Sequence, residues 1–352
     1  MLHIAKELVK RLPYPVFLRA YDLWQTQVLQ QREERCRQRA CVPLLDEFDI
    51  KATKTSDTVF LLGSGPSINS ISNVRWEAIR RHDTWGYNFW PYHWYVPRLY
   101  FFEAIQRESY PHTFKAYVKL THEHGKRYEE VPKIVTELQN VPDNGILSAV
   151  APEWKRKLYA IVSTDVAART PEEFVTAMRY LKSKGVFDPA WPWGRAFKYA
   201  STLSMLVGLA ARLEYKRIVL CGIDLRTQEY FYQDADLYPD YAALTPEPTH
   251  LRHMSFRDFE WLVKVDLVIS VLSDIVLWPE GISIFVENRS SALWPGVPEL
   301  DAQFYAADCA AGEVTTEVQS DERPPNPAPR HQSAEPAKRI HLEDWQSAQR
   351  SE

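Results

Sequence analysis

Residues 201–224 read STLSMLVGLAARLEYKRIVLCGID, and this stretch decides the fold class. From Phe197 to Leu213 apolar residues occupy nearly every side of a helical projection, which predicts a helix buried all round. Only Glu214-Tyr215-Lys216 intervenes before Arg217-Ile218-Val219-Leu220-Cys221-Gly222, a run suited to a parallel strand covered on both faces. A buried helix feeding a buried strand is the unit of an α/β sheet.

The same logic extends in both directions. Val59-Phe60-Leu61-Leu62 reads as a strand, Gly63-Ser64-Gly65-Pro66-Ser67 as a turn, and the segment with Ile68, Ile71, Trp76 and Ile79 as a helix. Thr84–Tyr87, Leu99–Phe102 and Leu158–Val162 are further strands. Thr170 as N-cap, Pro171, Glu173 and a closing Gly185 bound another helix. A helix over 256–272 and a strand over 282–286 complete the set. The expected fold is therefore α/β and Rossmann-like, a mostly parallel sheet with helices on both faces, spanning 58–311 with a lid loop at about 226–252. Residues 1–57 read as an N-terminal helical appendage, with Pro13 and Pro15 interrupting any long helix. Residues 312–352 are Pro-rich and polar, the composition of a disordered tail.

Composition excludes several classes. The chain has 352 residues, 45% hydrophobic and 25% charged, ordinary for a globular protein. Net charge is -4, with Lys+Arg 42 against Asp+Glu 46, so no global basic field invites nucleic acid. The 4 cysteines form no CxxC pair, which argues against a disulfide scaffold or a cysteine zinc site. No secretory leader or membrane-spanning run is apparent, and a cytoplasmic location is the expectation. Residues 1–41 carry eight basic and four acidic side chains among apolar ones. That leaves two readings open: contact with the inner face of the membrane, or packing on the domain or a second subunit.

Ligands of open α/β sheets sit beyond the carboxyl ends of the strands, so three loops are singled out. Gly63, Ser64, Gly65, Pro66 and Ser67 form a strand–turn–helix start whose amides suit a phosphate. They match neither a Walker loop nor the dinucleotide pattern. Asn88 follows the next strand. Gly222 and Asp224 end the strand of the opening stretch and lead into Arg226, Tyr230 and Tyr232. Downstream, His253 stands two residues before Ser255, a candidate N-cap, where helix potential would keep the imidazole neutral and fit to act as a base. Asp234-Ala235-Asp236 has a DxD form suited to a metal–diphosphate. His250 with His253, and His122 with His124, are alternative zinc pairs without a third ligand. Aromatics 89–95 with Trp191 and Trp193 are read either as stacking faces for an acceptor sugar or as core.

The blocks LLGSGPSI (61–68), WGYNF (85–89), YFFE (100–103), 201–224, THLRHMS (249–255) and FVENRSSAL (285–293) resemble bacterial sialyltransferases of glycosyltransferase family 42 and related users of CMP-activated acidic sugars. The resemblance implies a GT-A-like α/β domain. It implies inverting transfer of sialic acid, Kdo or another nonulosonate from a CMP-sugar to a glycan acceptor of capsule or lipopolysaccharide, without an obligatory metal or other cofactor. It would set Ser64, Gly65 and Asn88 on the nucleotide, and Ser201 and Thr202 on the cytidine or sugar carboxylate. His253 becomes the general base, and Tyr232, or Tyr230 if the loop shifts, binds the leaving phosphate. Arg226 stands where the family has a second tyrosine, Phe89 where it has a polar residue, and Glu103 where it has an amide. Those departures concern positions expected to face the donor sugar. Two other functions stay open: a metal-dependent, pterin-diphosphokinase-like enzyme using Asp224 or Asp234/Asp236, and a non-catalytic partner in polysaccharide assembly. A homo-oligomer is compatible with each.

Overall fold

The computed structural model describes residues 13–138, 145–164, 166, 168, 170–226, 229–241 and 263–311. Its centre is a seven-stranded sheet of β1 (Thr58–Leu62), β2 (Asp83–Tyr87), β3 (Leu99–Glu103), β4 (Lys133–Thr136), β5 (Leu158–Ala160), β8 (Arg217–Cys221) and β9 (Ser283–Val286). Every pairing is parallel, in the order β5-β4-β3-β2-β1-β8-β9. β6 (Val162–Thr164) and β7 (Arg195–Phe197) form a separate parallel pair.

Alternation along the strands builds two cores. Val59, Leu61, Phe101, Ile218 and Leu220 enter one, under α5 (Pro171–Ser183), α6 (Thr202–Arg212) and α7 (Val265–Leu272). Phe60, Leu62, Tyr100, Phe102, Val219 and Cys221 enter the other, against α2 (Asn73–Ile79), α3 (Pro111–His124) and the short α4 (Gly145–Ala149). Both faces are covered, which is why the strands read as unbroken apolar runs. α8 (Ala302–Ala311) closes the described chain.

Several boundaries differ from the sequence reading. Pro13 and Pro15 start a helix instead of interrupting one: α1 runs Tyr14–Ala40, with Pro13 at the N-cap and Pro15 in the first turn, where a missing N–H costs nothing. α1 docks on the domain. Tyr180 Oη donates to Asp22 at 2.9 Å, Arg32 donates to Ser163 O at 3.0 Å, and Arg195 pairs with Glu33. Its opposite side leaves Val16, Leu23 and Trp24 exposed. Residues 42–57, grouped by sequence with the appendage, bury Leu44, Leu45 and Ile50 in the cores.

The helix expected from 197 begins at Thr202. Ser204 Oγ donates to Tyr199 O and accepts from Tyr199 N, holding 199–201 outside the helix, and Ser201 caps it. The run 158–162 divides between two sheets at Ile161. Helical residues after Gly65 split into a 3-10 turn, Pro66–Ser70, and α2, because Ser72 caps a fresh start by accepting from Arg75 N. β4 escaped the sequence reading, since it opens on a lysine. Lys133 is fully buried and donates to Tyr128 O and Val131 O. The tail 312–352 and, in the lid loop, residues 227–228 and 242–252 lie outside the described residues.

Candidate functional site

β1 and β8 are neighbours in the sheet, yet from β1 the chain steps away to β2 on the other side. This is a topological switch point, where a crevice opens beyond the carboxyl ends of the strands. The glycine turn and the Gly222–Asp224 segment meet there. Gly63 N donates to Cys221 O at 2.8 Å and Gly65 N to Gly222 O at 2.7 Å. Ser67 N donates to Asp224 Oδ2 at 2.8 Å.

These bonds engage three amides of the turn: Gly63 N on the end of β8, Gly65 N on Gly222 just beyond it, and Ser67 N on the Asp224 carboxylate at the start of the 3-10 turn. The glycines are needed for close approach: a Cβ on Gly65 would stand 2.5 Å from Asp224 Oδ2 and 2.7 Å from Gly222 O. Asp224, with Ser290 Oγ donating to its Oδ1 at 3.0 Å, is a clamp between the turn and the 288–291 loop.

Beside the clamp lies a cleft of about 210 Å³. It brings together Ser64, Gly65, Asn88, Glu103, Ser201 and Thr202 with Gly222, Asp224 and Tyr230. Those residues come from five separate stretches of chain. The Ser64 hydroxyl is buried and has no hydrogen-bond partner. A buried donor left unsatisfied at the wall of a cavity is costly unless something enters to meet it.

Glu103, at the end of β3, points its Oε1 at Thr202 Oγ1 and at Lys198 Nζ, the latter at 2.9 Å. Burial would raise its carboxyl, but the Lys198 ammonium and the Thr202 hydroxyl outweigh that and hold it below the ordinary range. Lys198 in turn is desolvated, yet Glu103 and Glu137, the latter at 3.0 Å, raise it above the usual lysine value. The cleft wall thus carries Glu103, Asp224 and Glu229, and no lysine or arginine among its lining residues. Such a wall accepts hydrogen bonds from hydroxyl and amino groups. Tyr230 is raised by burial and stays a neutral phenol.

Backbone geometry marks the same place. Asn88, Ala200 and Leu225 have φ of 55, 60 and 59, and all three line the cleft. Left-handed conformations at non-glycine residues are uncommon, and they cluster where a site over-determines the chain.

Other expected residues fall elsewhere. Tyr232 is 1% exposed and lies behind Tyr230, their rings parallel at 5.3 Å, so Tyr230 is the tyrosine that reaches the cleft. Arg226 is exposed and donates to Ser290 O at 2.6 Å, outside the lining. Gly63, Pro66 and Ser67 build the turn without lining the cleft. Phe89 packs on Tyr92 and Tyr117 in the second core, not toward the donor position. Trp191 and Trp193 belong to the opposite core, so no single aromatic platform joins them to 89–95.

Asp234 Oδ1 accepts from Asp236 N at 3.1 Å and Leu237 N at 3.3 Å, which makes the DxD a local turn. His122 faces Ala149 O and His124 faces Tyr241 Oη, so this pair does not converge. Among the described residues no group of three or more His, Cys, Asp or Glu is placed to hold a metal. His250, His253, Ser255 and the THLRHMS block lie outside the described residues.

Sequence reasoning missed Lys198, Glu137 and Glu229. No local motif announces them, since Lys198 matters only once the bend at 199–201 sets it beside Glu103. No family model matches the chain, and neither a curated protein nor a solved structure does.

Proposed function

We infer that the chain is an inverting glycosyltransferase that moves an acidic sugar from a CMP-sugar to a glycan hydroxyl. The observation that carries this reading is a cleft at the switch point that gathers the Ser64 hydroxyl, unpartnered among the described residues, with the bonded pair Glu103 and Thr202. Hydroxyl-accepting carboxylates suit a ribose diol or the amino group of cytosine. In this reading the nucleoside fills the described cleft. Its phosphate faces Tyr230 and the side where Arg226 is anchored on the 290–291 carbonyls as a fixed positive charge.

The acceptor oxygen attacks the anomeric carbon as the bond to the phosphate oxygen breaks. The electron pair leaves with CMP, and His253 takes the acceptor's proton. The motifs 61–68 and 201–224 support the choice of CMP-sugar over other nucleotide donors.

A thermal-shift series with CMP, CDP, UDP and GDP tests it. CMP alone stabilises the protein, by about 2.7 kcal/mol at a hundred times its Kd. His253→Ala keeps that shift and loses about 10²–10⁴ in transfer rate. Absence of any cytidylate shift, or full transfer by the alanine variant, overturns the reading. The competing reading is a metal-dependent diphosphokinase-like enzyme, although among the described residues Glu103, Asp224 and Glu229 are not grouped to hold a metal. Nucleotide turnover that EDTA abolishes and Mg²⁺ restores would select it.

A further inference from the structure

A second cavity of about 210 Å³ lies on the flank of the sheet, between the turn after β1, the loop after β2, the end of α3 and the 237–241 segment. Trp76, Tyr92, Trp94, Tyr238 and Tyr241 supply its aromatic walls. At about 210 Å³ it lies below the ~300 Å³ at which drug-sized pockets begin and has room for a ligand of one or two rings. We propose that this cavity binds a single pyranose ring of a neutral or anionic glycan.

The walls exclude the other ligands that aromatic cavities take. A quaternary ammonium needs a negative or neutral cage. Among the described lining residues there is no aspartate or glutamate, with Glu123 and Asp240 acting only from outside the lining, whereas Arg127 lines the space and the Arg80 guanidinium already lies 5.1 Å over Trp94. A planar base needs two parallel faces to slide between. Trp76 and Trp94 instead meet at 69°, Trp94 and Tyr95 at 87°, and Tyr92 and Tyr241 are stacked on each other at 4.2 Å.

Tilted single faces suit the C–H side of a puckered ring, whose hydroxyls then reach the polar groups around it. Asn69 lines the space, with its Nδ2 donating to Phe231 O at 3.0 Å and its Oδ1 buried with no partner among the described residues. His124 Nε2 lies 3.1 Å from Tyr241 Oη, and burial with the Arg127 charge nearby pushes its pKa down to about 4, leaving a neutral imidazole at the rim. The segment carrying Tyr238 and Tyr241 continues from Tyr230, which lines the first cleft, so a ring held here also steadies that wall. Sugar binding at this cavity goes beyond the transferase reading and does not depend on it.

Saturation-transfer NMR on the full chain tests the proposal, with methyl α-D-glucopyranoside, methyl β-D-galactopyranoside, N-acetylglucosamine and N-acetylneuraminic acid as probes. Tetramethylammonium and cytidine serve as controls. At least one sugar gives ring C–H saturation and quenches tryptophan fluorescence. Trp94→Ala and Tyr241→Ala, at partly exposed positions, each weaken it at least tenfold while retaining the parent's CMP response and circular dichroism. Unchanged sugar binding in both folded variants overturns the proposal, as does failure of every sugar or preference for tetramethylammonium or cytidine. A parent protein that binds sugar but shows no CMP response would instead count against the transferase reading alone.

Discussion

Gly65→Ala isolates the clamp between the glycine turn and β8. Gly65 has φ -68 and ψ 154, a backbone that alanine adopts without strain. Conformational entropy therefore favours alanine, by about 0.4–1 kcal/mol through the unfolded chain. Space opposes it. The added methyl would stand 2.5 Å from Asp224 Oδ2 and 2.7 Å from Gly222 O, and the second of these is backbone held in a parallel pairing. To fit, the turn must lift from β8, stretching the 2.7 Å bond from Gly65 N and the 2.8 Å bond from Ser67 N.

Overpacking of this kind costs about 1–3 kcal/mol. The clash outweighs the entropy gain, and the variant is destabilised by up to roughly 2.6 kcal/mol, about 1.3 kcal/mol at the middle of the two ranges. Urea unfolding with linear extrapolation reads the change as a lower midpoint at unchanged slope. Adding Asp224→Ala removes one of the two obstructing groups, so the alanine at 65 costs less in that background. A Gly65→Ala protein as stable as the parent, or more so, would refute the argument that contact distance, not conformation, demands this glycine.

Two further outcomes follow from buried groups. Ser64→Ala deletes a hydroxyl that has no hydrogen-bond partner among the described residues, so stability stays within about 0.5 kcal/mol of the parent or rises. The same variant halves or abolishes the CMP-induced shift, and an undiminished shift would show that Ser64 does not meet the ligand. Lys133 is pushed down to about 7 by burial and then by the Lys157 ammonium, against about 10.4 in an unfolded chain. Between those values the unfolded state binds more protons than the folded one, so stability rises with pH across roughly 7 to 10. Urea midpoints at pH 7, 8 and 9.5 should climb for the parent and lie flatter for Lys133→Met; equal slopes would contradict the buried, neutral lysine.

Much of the candidate site was legible because loops at strand ends are short and their residues are punctuated by glycine. Glu103 ends a strand, and Ser64, Gly65, Asn88, Gly222 and Asp224 each follow one within three residues, so recognising the strand placed the residue at the crest. The roles were harder. Backbone amides of the glycine turn looked free for an anion until β8 was seen to accept from them. Choosing between Tyr230 and Tyr232 depended on which ring the 3-10 turn Phe231–Gln233 sends inward, and two residues of spacing leave that undetermined.

The sequence by itself determined the α/β class, because apolar runs of strand length alternating with helical periods have one economical burial, a parallel sheet covered on both faces. It also determined where strands end, hence the list of crest residues. Tertiary structure alone decided the strand order, the switch point between β1 and β8, and the Glu103–Lys198–Glu137 chain. Those depend on contacts between distant residues: 159 positions separate Thr58 from its partner Arg217, 61 separate Lys198 from Glu137, and 99 separate Thr202 from Glu103. Local propensity carries no information about such distant pairs. They form only when the sheet brings its strand ends to one edge and the desolvated charges there must find each other.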